Sequence, residues 1–264
     1  MKGIPMNSGE YYLVNAFTGE KALGNQSCVM LLDDISDTPK LQSLAEDFNL
    51  PATTFLKRTA AGYDIRWFAP DIEIGLCGHG TVAATWVLTK VIEESSKVGF
   101  KYNSGTLTGE LSDDVVILEA NSIDNEQIVI PDHVQAGFSR KVRGYFKTDN
   151  KDIVLLDNEK SVRTMKPNWK VLSRSETFGY VITADAENYD FVSRTILPHV
   201  AFLEDQATGS SHMMLTPFWA ERLDKNTFHA FQASDRGGDI LCELDGTTVR
   251  LKAKCLVFAQ GQLF

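Results

Sequence analysis

Short runs in which apolar and polar residues alternate dominate the chain, and this pattern predicts β-strands. In the first half the strand-like segments are 11–17, 28–32, 53–57, 63–68, 98–102 and 106–110. In the second half they are 115–120, 153–157, 180–184, 201–203, 240–244 and 248–258. Gly24 and Asn25, between the first two segments, predict a turn. We therefore expect a protein built mainly from strands.

Three segments have helical spacing instead. Residues 40–48 carry the apolar side chains Leu41, Leu44 and Ala45 on one face, which predicts a helix. Residues 81–94 and 210–223 are apolar nearly all round, so each is expected to be a helix buried inside a domain. Pro217 lies within the last of these and predicts a bend there, because an interior proline removes a backbone hydrogen bond.

An internal repeat relates the two halves of the sequence. Residues 66–70 (RWFAP) precede the turn-like segment 77–81 (CGHGT), and residues 194–198 (RTILP) precede the segment 205–212 (DQATGSSH). In both cases an apolar helical stretch follows. We therefore expect an α+β protein with two similar domains, each a β-barrel-like sheet around a central helix. The boundary is predicted near 112–114, giving domains 1–112 and 113–264, with a return of the last strand to the first domain as the alternative.

The repeat also places two helix N-termini in comparable positions, one in each half. If the halves face each other across a cleft, the unsatisfied N–H groups and the positive ends of the helix dipoles suit a small anion. The sequence therefore favours an enzyme that acts on a small molecule.

Composition narrows the class of protein. The chain has 264 residues, 43% of them apolar, which is enough to bury a core of one large or two ordinary domains. A formal net charge of −9 disfavours nucleic acid as a partner, although it leaves an anionic substrate possible. The four cysteines form no CxxC pair, the N-terminus lacks an apolar signal core, and no apolar run approaches the ~20 residues that cross a bilayer. We expect a soluble, cytoplasmic protein with no membrane segment.

The first of the two repeated turns holds two candidate catalytic residues. The backbone of Gly78 and Gly80 can approach a ligand closely. His79 can shuttle a proton near neutral pH, and Cys77 can serve as a thiolate base if the helix terminus stabilises its charge. The alternatives are that His79 packs at the helix terminus and that Cys77 is a buried apolar residue.

The second turn offers an acid beside small polar residues. Asp205 is a candidate proton donor, and Gly209, Ser210 and Ser211 can form an anion cradle. The alternative is an ordinary helix N-terminus with acidic residues near its first turn. Arg236 and Gly237 can place a guanidinium and a flexible backbone beside the same site, or they can simply form a hairpin turn.

The glycine and histidine spacings favour a reaction without a cofactor. The five histidines show no HExxH or comparable metal-ligand spacing, and the dinucleotide and P-loop glycine patterns are missing from the sequence. We expect neither a metal nor an organic cofactor.

Taken together, these motifs resemble the PhzF-like isomerase family of phenazine biosynthesis, which shares the diaminopimelate-epimerase fold. Residues 15–17 (NAF) with Gly24-Asn25 resemble the opening D-x-F…G-N segment, with Asn15 in place of the usual Asp. Residues 66–81 resemble R-W-F-T-P…E…L-C-G-H-A-T, and residues 204–211 resemble E-D-P-A-T-G-S-A. Gln232 with residues 236–238 resembles the Q-G-x-x-x-R-G-G segment. The similarity covers nearly the whole chain.

The resemblance implies an activity and a set of roles. The family's best-understood chemistry is a cofactor-free proton shift that isomerises a dihydro-hydroxyanthranilate, and its members commonly form homodimers. By this resemblance Asp205 and His79 handle protons, while Gly78, Gly209 and Ser210 hold a substrate carboxylate.

One position departs from the family pattern. The usual catalytic Glu belongs to an N-L-S-E-T-x-F segment, which reads NLPATTF at residues 49–55, so that Ala52 occupies the Glu position. A methyl group cannot accept a proton, and general-base catalysis typically contributes ~10²–10⁴-fold.

Three hypotheses follow from this departure. In the first, the protein is an isomerase in which Cys77, Glu73 or a substrate group supplies the base. In the second, it is a catalytically silent, ligand-binding relative. The third is a Cys77-dependent racemase, as in the related proline racemases, and it is disfavoured because Thr208 occupies the position of their second cysteine.

Overall fold

The structure is a computed structural model that describes residues 9–20, 23–93 and 95–263. The chain divides into two compact units. The first unit comprises residues 1–120 together with 251–264, and the second comprises residues 121–250.

A mixed sheet forms most of the first unit. Its strands are β1 (Glu10–Ala16), β2 (Asn25–Leu31), β3 (Ala52–Thr59), β4 (Gly62–Phe68), β5 (Glu73–Ile74), β6 (Lys97–Tyr102), β7 (Gly105–Ser112), β8 (Val115–Asn121) and β18 (Cys255–Gln262). They lie in the order β18-β1-β2-β3-β4-β6-β7-β8, with the pairs β2–β3 and β4–β6 parallel and the other pairs antiparallel. The two-residue β5 pairs with the end of β4.

Two helices cover the faces of this sheet. Helix α1 (Thr38–Phe48) begins at the N-cap Asp37, whose carboxylate accepts a hydrogen bond from Lys40 N at 3.1 Å, and it packs Leu41 and Ala45 against strand side chains. Helix α2 (Gly78–Trp86) continues into a π-helical turn (Val87–Val91). Every residue of α2 from 78 to 85 is buried, in agreement with the apolar pattern.

The second unit repeats this arrangement. Its strands are β9 (Glu126–Ile128), β10 (Gly144–Lys147), β11 (Asp152–Leu155), β12 (Tyr180–Asp185), β13 (Phe191–Ile196), β14 (Glu204–Asp205), β15 (Thr227–Gln232) and β16 (Gly238–Asp245). The boundary between the units falls within β17 (Thr248–Ala253). The order β9-β10-β11-β12-β13-β15-β16 has the pairs β11–β12 and β13–β15 parallel, which reproduces the directions of β18 through β7. Strand β14 pairs with the end of β13, as β5 does with β4.

The helices of the second unit differ in size. Three short helices are α3 (Asp132–Gly137), α4 (Glu159–Thr164) and α5 (Trp169–Leu172), and side chains from all three join one apolar core with the strands. The long helix α6 (Gly209–Leu223) corresponds to α2. It is anchored to the sheet through Trp219, whose indole N–H donates to Thr183 Oγ1 at 3.1 Å.

Helix α6 runs through Pro217 without a break. Proline at this position leaves the carbonyl four residues earlier, that of Met213, without its usual helical donor. The backbone N–H of Ile123 donates to this carbonyl at 3.3 Å. A segment from outside the helix therefore satisfies the group that the proline exposes.

The fold class is the predicted one, an α+β protein with two similar units, but several elements differ from the sequence pattern. Residues 201–203 form a bend instead of a strand, while strands β13 and β15 were not predicted. The segment 248–258 is two strands separated at Lys254. The helix predicted at 81–94 begins three residues earlier, and Glu94 lies outside the described residues.

Candidate active site

Two arginine–glutamate pairs hold the repeated turns in place. In the first unit Arg66 on β4 binds Glu73 on β5 through two hydrogen bonds of 2.8 and 2.7 Å. In the second unit Arg194 on β13 binds Glu204 on β14 in the same way, at 2.7 Å for both bonds. Such bidentate pairs fix direction as well as distance. Each pair therefore orients the loop that leads into α2 or α6.

The start of α2 brings together Cys77 and His79. Cys77 is the N-cap residue, and its Sγ accepts a hydrogen bond from Gly80 N at 3.4 Å. The same sulfur lies 3.4 Å from His79 Nδ1, and both side chains are buried. An amide donor and the positive end of a helix are surroundings that stabilise a thiolate. The sulfur also lies 3.7 Å from His79 Nε2, so the thiol and the imidazole are in contact.

Gly80 is packed closely against the sheet. A Cβ at this position would lie 2.6 Å from Thr54 Oγ1 and 2.7 Å from Trp67 Cδ1. Both neighbours belong to the sheet that α2 packs against. Glycine at position 80 is thus required for the close approach of α2 to β3 and β4.

Ala52 begins β3 and is fully buried. It lies opposite Ser27 of β2 in the parallel register. Thr54, two residues further, points to the same face of the sheet, and its hydroxyl lies 2.9 Å from that of Ser27. This is also the face that Gly80 contacts. Ala52 therefore lies on the side of β3 that carries the start of α2.

In the second unit the corresponding loop presents Asp205. Its carboxylate accepts hydrogen bonds from Thr208 Oγ1 at 2.6 Å and from Gln206 N at 3.0 Å. The fully buried Gln232 side chain donates to Asp205 O at 2.6 Å and accepts from Thr208 N at 2.8 Å. The position of the carboxylate is therefore fixed through both its side-chain and backbone contacts.

Helix α6 starts directly after this loop. Thr208 is its N-cap residue, but the threonine hydroxyl makes no capping bond to the helix and donates to Asp205 instead. Ser211 Oγ lies 2.9 Å from Thr195 Oγ1, and the Ser211 side chain is fully buried. Ser210 Oγ accepts a hydrogen bond of 2.9 Å from Lys151 Nζ. Of the two serines, Ser211 is thus bound to the sheet and Ser210 to a lysine.

Arg236 and Gly237 lie in the turn that joins β15 to β16, where Gly237 has a positive φ of 68°. The same turn contacts the Asp205 loop, because Arg236 N donates to Gln206 Oε1 at 3.1 Å and Ser234 Oγ donates to Gln206 O at 2.6 Å. Burial lowers the pKa of the Arg236 guanidinium from its ordinary value. Arg236 and Gly237 therefore form a hairpin turn whose backbone contacts the Asp205 loop.

Two polar residues beside these segments were not singled out from the sequence. Lys151 precedes an ordinary apolar strand, and no local motif marks it as buried. Thr54 is one of two adjacent threonines in β3, and only the packing of α2 distinguishes them. Among the described residues no group of three or more His, Cys, Asp or Glu side chains could hold a metal ion. None of the described helices is long and apolar enough to span a membrane.

Known proteins are similar to this chain over nearly its whole length. The family described as phenazine biosynthesis-like protein (PhzC-PhzF) matches residues 14–261. A Pseudomonas aeruginosa protein named as an uncharacterized isomerase is 33% identical, over 96% of this chain and 97% of its own. A second protein of that description, from Halalkalibacterium halodurans, is 32% identical over 96% of this chain and 97% of its own.

Solved structures show the same relationship. A PhzF family protein of Enterococcus faecalis has a TM-score of 0.92 and 31% identity, covering 98% of this chain and 100% of that one. A PhzC/PhzF protein of Clostridium difficile has a TM-score of 0.89 and 35% identity, covering 97% and 99%. A hydroxyproline epimerase from Agrobacterium vitis, at 11% identity and a TM-score of 0.66, shares the fold.

The structure thus has the fold that is shared by PhzF family proteins and by the epimerase, built from two related units. Among proteins of that fold, this chain belongs to the PhzF-like isomerase family, which confirms the resemblance.

Proposed function

We propose that the protein is a cofactor-independent isomerase that moves a proton within a small carboxylic acid. The observation that supports this most directly is the Asp205 carboxyl group. It is held by Thr208 and Gln206 immediately before the amides that begin α6. A proton donor beside a helix N-terminus suits a substrate that carries a carboxylate.

In the proposed reaction the C–H bond of one substrate carbon breaks, and its proton passes to a base of the protein. The electron pair left behind shifts the double bond, and a second substrate carbon receives a proton from an acid, so that no atom or electron is gained overall. We assign Asp205 and His79 to the proton transfers. The backbone of Gly78 and Gly209 and the hydroxyl of Ser210 would hold the carboxylate.

Cys77 is our candidate for the base that Ala52 cannot supply. Of the three sources considered, Glu73 is disfavoured because both of its carboxylate oxygens bind Arg66. The Cys77 sulfur instead has a helix amide as donor and His79 as a proton partner at 3.4 Å. The protein would thus use a thiolate–imidazole pair in place of a glutamate.

Deuterium exchange tests this proposal. The protein is incubated in deuterated water with a panel of cyclic and amino-acid carboxylates, and the label at each substrate carbon is measured by NMR. Wild type should label at least one acid. Asp205→Asn and Cys77→Ser should each lower the rate about 10²-fold or more. Cys28→Ser is the matched control, since Cys28 is a buried thiol in the core beside α1 and should leave the rate unchanged.

Absence of exchange with every acid would contradict the proposed activity. Full activity of Cys77→Ser would remove both Cys77 as the base and the Cys77-dependent racemase. The racemase is further disfavoured because Thr208, at the position of the second cysteine, has its hydroxyl bound to Asp205.

A silent binding protein is the second candidate, and the buried methyl group of Ala52 is the observation that favours it. Ala52→Glu distinguishes the two functions. If only the glutamate variant catalyses exchange, the natural chain is a binder. If wild type is equally fast, the binding-only function is wrong. Homodimerisation and a cytoplasmic location are further proposals that rest on the family resemblance and on the composition.

A further inference from the structure

A lysine is buried beside the first turn of α6. Lys151 directly precedes β11, and only 5% of its surface is exposed. Its ammonium group donates hydrogen bonds to Ser210 Oγ at 2.9 Å and to Asn150 Oδ1 at 2.5 Å. The ring of Phe178 lies 5.9 Å from the nitrogen. Burying a long cationic side chain is costly, so its presence here calls for a physical reason.

The repeat shows that this lysine is specific to the second unit. When Arg66 is aligned with Arg194, the strand registers place Lys151 where the first unit has Ser27. Ser27 is neutral, and its hydroxyl bonds to Thr54 on the sheet. Gly179 occupies the place of Ala52, and a Cβ there would lie 2.7 Å from Leu197 Cδ2 and 3.2 Å from Lys151 Cγ. The second unit therefore has a lysine and a glycine where the first unit has a serine and an alanine.

The charge also lies where the helix dipole disfavours it. The N-terminus of α6 carries partial positive charge, and a cation beside it raises the electrostatic energy. The N-cap Thr208 does not reduce this, because its hydroxyl donates to Asp205 and accepts no capping hydrogen bond from the helix amides. A cation, a hydroxyl and uncapped amides in one place are complementary to an anion.

The direction of one hydrogen bond assigns the role. An ammonium group has donors and no acceptor, so Ser210 Oγ must accept from Lys151. The serine's own proton is therefore directed towards another acceptor. We propose that Lys151 is a positioning and specificity residue that sets Ser210 as a donor and selects ligands with a carboxylate over neutral analogues. This inference rests on the proposed function and concerns the substrate class of the same site.

The test compares an acid with its amide. Binding of 2-aminobenzoate and of 2-aminobenzamide is measured by isothermal titration calorimetry for wild type, Lys151→Met, Lys151→Arg and Ser210→Ala. Lys170→Met, which removes a positive charge from an exposed side chain of the same unit, is the matched control. Thermal unfolding is recorded for every variant, and Lys151→Arg covers the case in which the methionine variant does not fold.

We expect wild type and Lys170→Met to prefer the acid. Lys151→Met should weaken binding of the acid about tenfold or more while changing binding of the amide little, because it removes a charge-assisted contact. Ser210→Ala should lose part of the same preference, and Lys151→Arg should keep most of it. In exchange assays the methionine variant should raise KM more than it lowers kcat, which a purely structural role would not produce.

Each other outcome has a definite meaning. If folded Lys151→Met keeps the wild-type preference for the acid, the inference is wrong while the proposed function stands. If wild type binds neither 2-aminobenzoate nor any acid of the exchange panel, the carboxylate-binding function and the inference fail together.

Discussion

The two N-cap residues Cys77 and Thr208 occupy equivalent places in the repeat but use their side chains differently. Cys77 caps its own helix through Gly80 and contacts His79. The Thr208 side chain does not cap α6, and its hydroxyl donates to the carboxylate of Asp205. Single side chains therefore decide which unit carries a thiol and which carries an acid on otherwise similar backbones.

His212 gives a prediction about pH at the residue scale. It is fully buried in α6, its Nδ1 donates to Thr208 O at 2.8 Å, and burial lowers its pKa from 6.5 to about 4. Below pH 6.5 the unfolded chain takes up a proton that the folded chain resists until about pH 4. Stability from this histidine is therefore lost as the pH falls, by about 2 kcal/mol between pH 7.5 and 5.

Urea unfolding at pH 7.5 and pH 5 measures this loss. On acidification from pH 7.5 to pH 5, the free energy of unfolding of His212→Leu should fall by about 2 kcal/mol less than that of wild type, because leucine does not titrate. His199→Leu removes an exposed histidine and should follow the wild-type profile. An identical acid response of His212→Leu and wild type would contradict the assignment.

Gly109 gives a second prediction at this scale. A Cβ on this β7 residue would lie 2.0 Å from Thr85 Oγ1 and 2.8 Å from Thr85 Cβ. Gly109→Ala should therefore destabilise the protein by about 2 kcal/mol or more in urea unfolding, through overpacking against α2. Gly75→Ala, where a Cβ meets nothing within 4 Å, should change stability little. Thr85→Ala should partly rescue Gly109→Ala, and absence of rescue would mean that another contact limits this site.

At the scale of elements, the helices inside the two units tolerate irregularities because neighbouring groups compensate for them. In α2 and the π-helical turn that follows it, the hydroxyls of Thr81, Thr85 and Thr89 each donate to the carbonyl four residues earlier, at 2.7, 2.8 and 2.7 Å. The helix widens into its π-helical turn along this threonine row. These polar side chains are thereby satisfied inside a buried helix.

Pro217 provides the prediction at this scale. Replacement by alanine restores an N–H in α6. By helix propensity alone, this would raise the free energy of unfolding by ~3 kcal/mol. The gain should be smaller, about 1 kcal/mol, because Met213 O already accepts from Ile123 N and because proline also restricts the unfolded chain. Urea unfolding of Pro217→Ala should show increased stability. A clear loss would mean that the path of residues near Ile123 depends on the proline.

At the scale of the whole molecule, the proposed reaction depends on residues that are far apart in the sequence. If Cys77 and Asp205 act on the same substrate molecule, their effects on rate should not add. The double variant Cys77→Ser/Asp205→Asn should then be about as slow in deuterium exchange as the slower single variant. Additive losses would instead indicate that the two residues act independently. Unchanged thermal unfolding of all three variants serves as the control for folding.

The sequence predicted much of the fold because the signals were local. Alternating strands, the two apolar helices and the arginine-led repeat were all visible, and the family followed from the motifs. Strands β13 and β15 were not predicted, and residues 201–203 were wrongly assigned to a strand. Whether such segments become strands depends on pairing with residues far away in the sequence. Strand β15, for example, pairs with β13, and the chain between these two strands contains α6.

Periodicity, caps and motif spacing act between residues a few positions apart, so the chain itself determined its elements, its repeat and the segments that begin α2 and α6. Tertiary structure decided what each side chain in those segments touches. Gly80 is needed for packing on β3, Ser211 bonds to the sheet, and Lys151 is buried against Ser210. Such contacts join residues that are 16 to 59 positions apart. No local pattern encodes them, because they form only when the sheet brings its strands together around a helix.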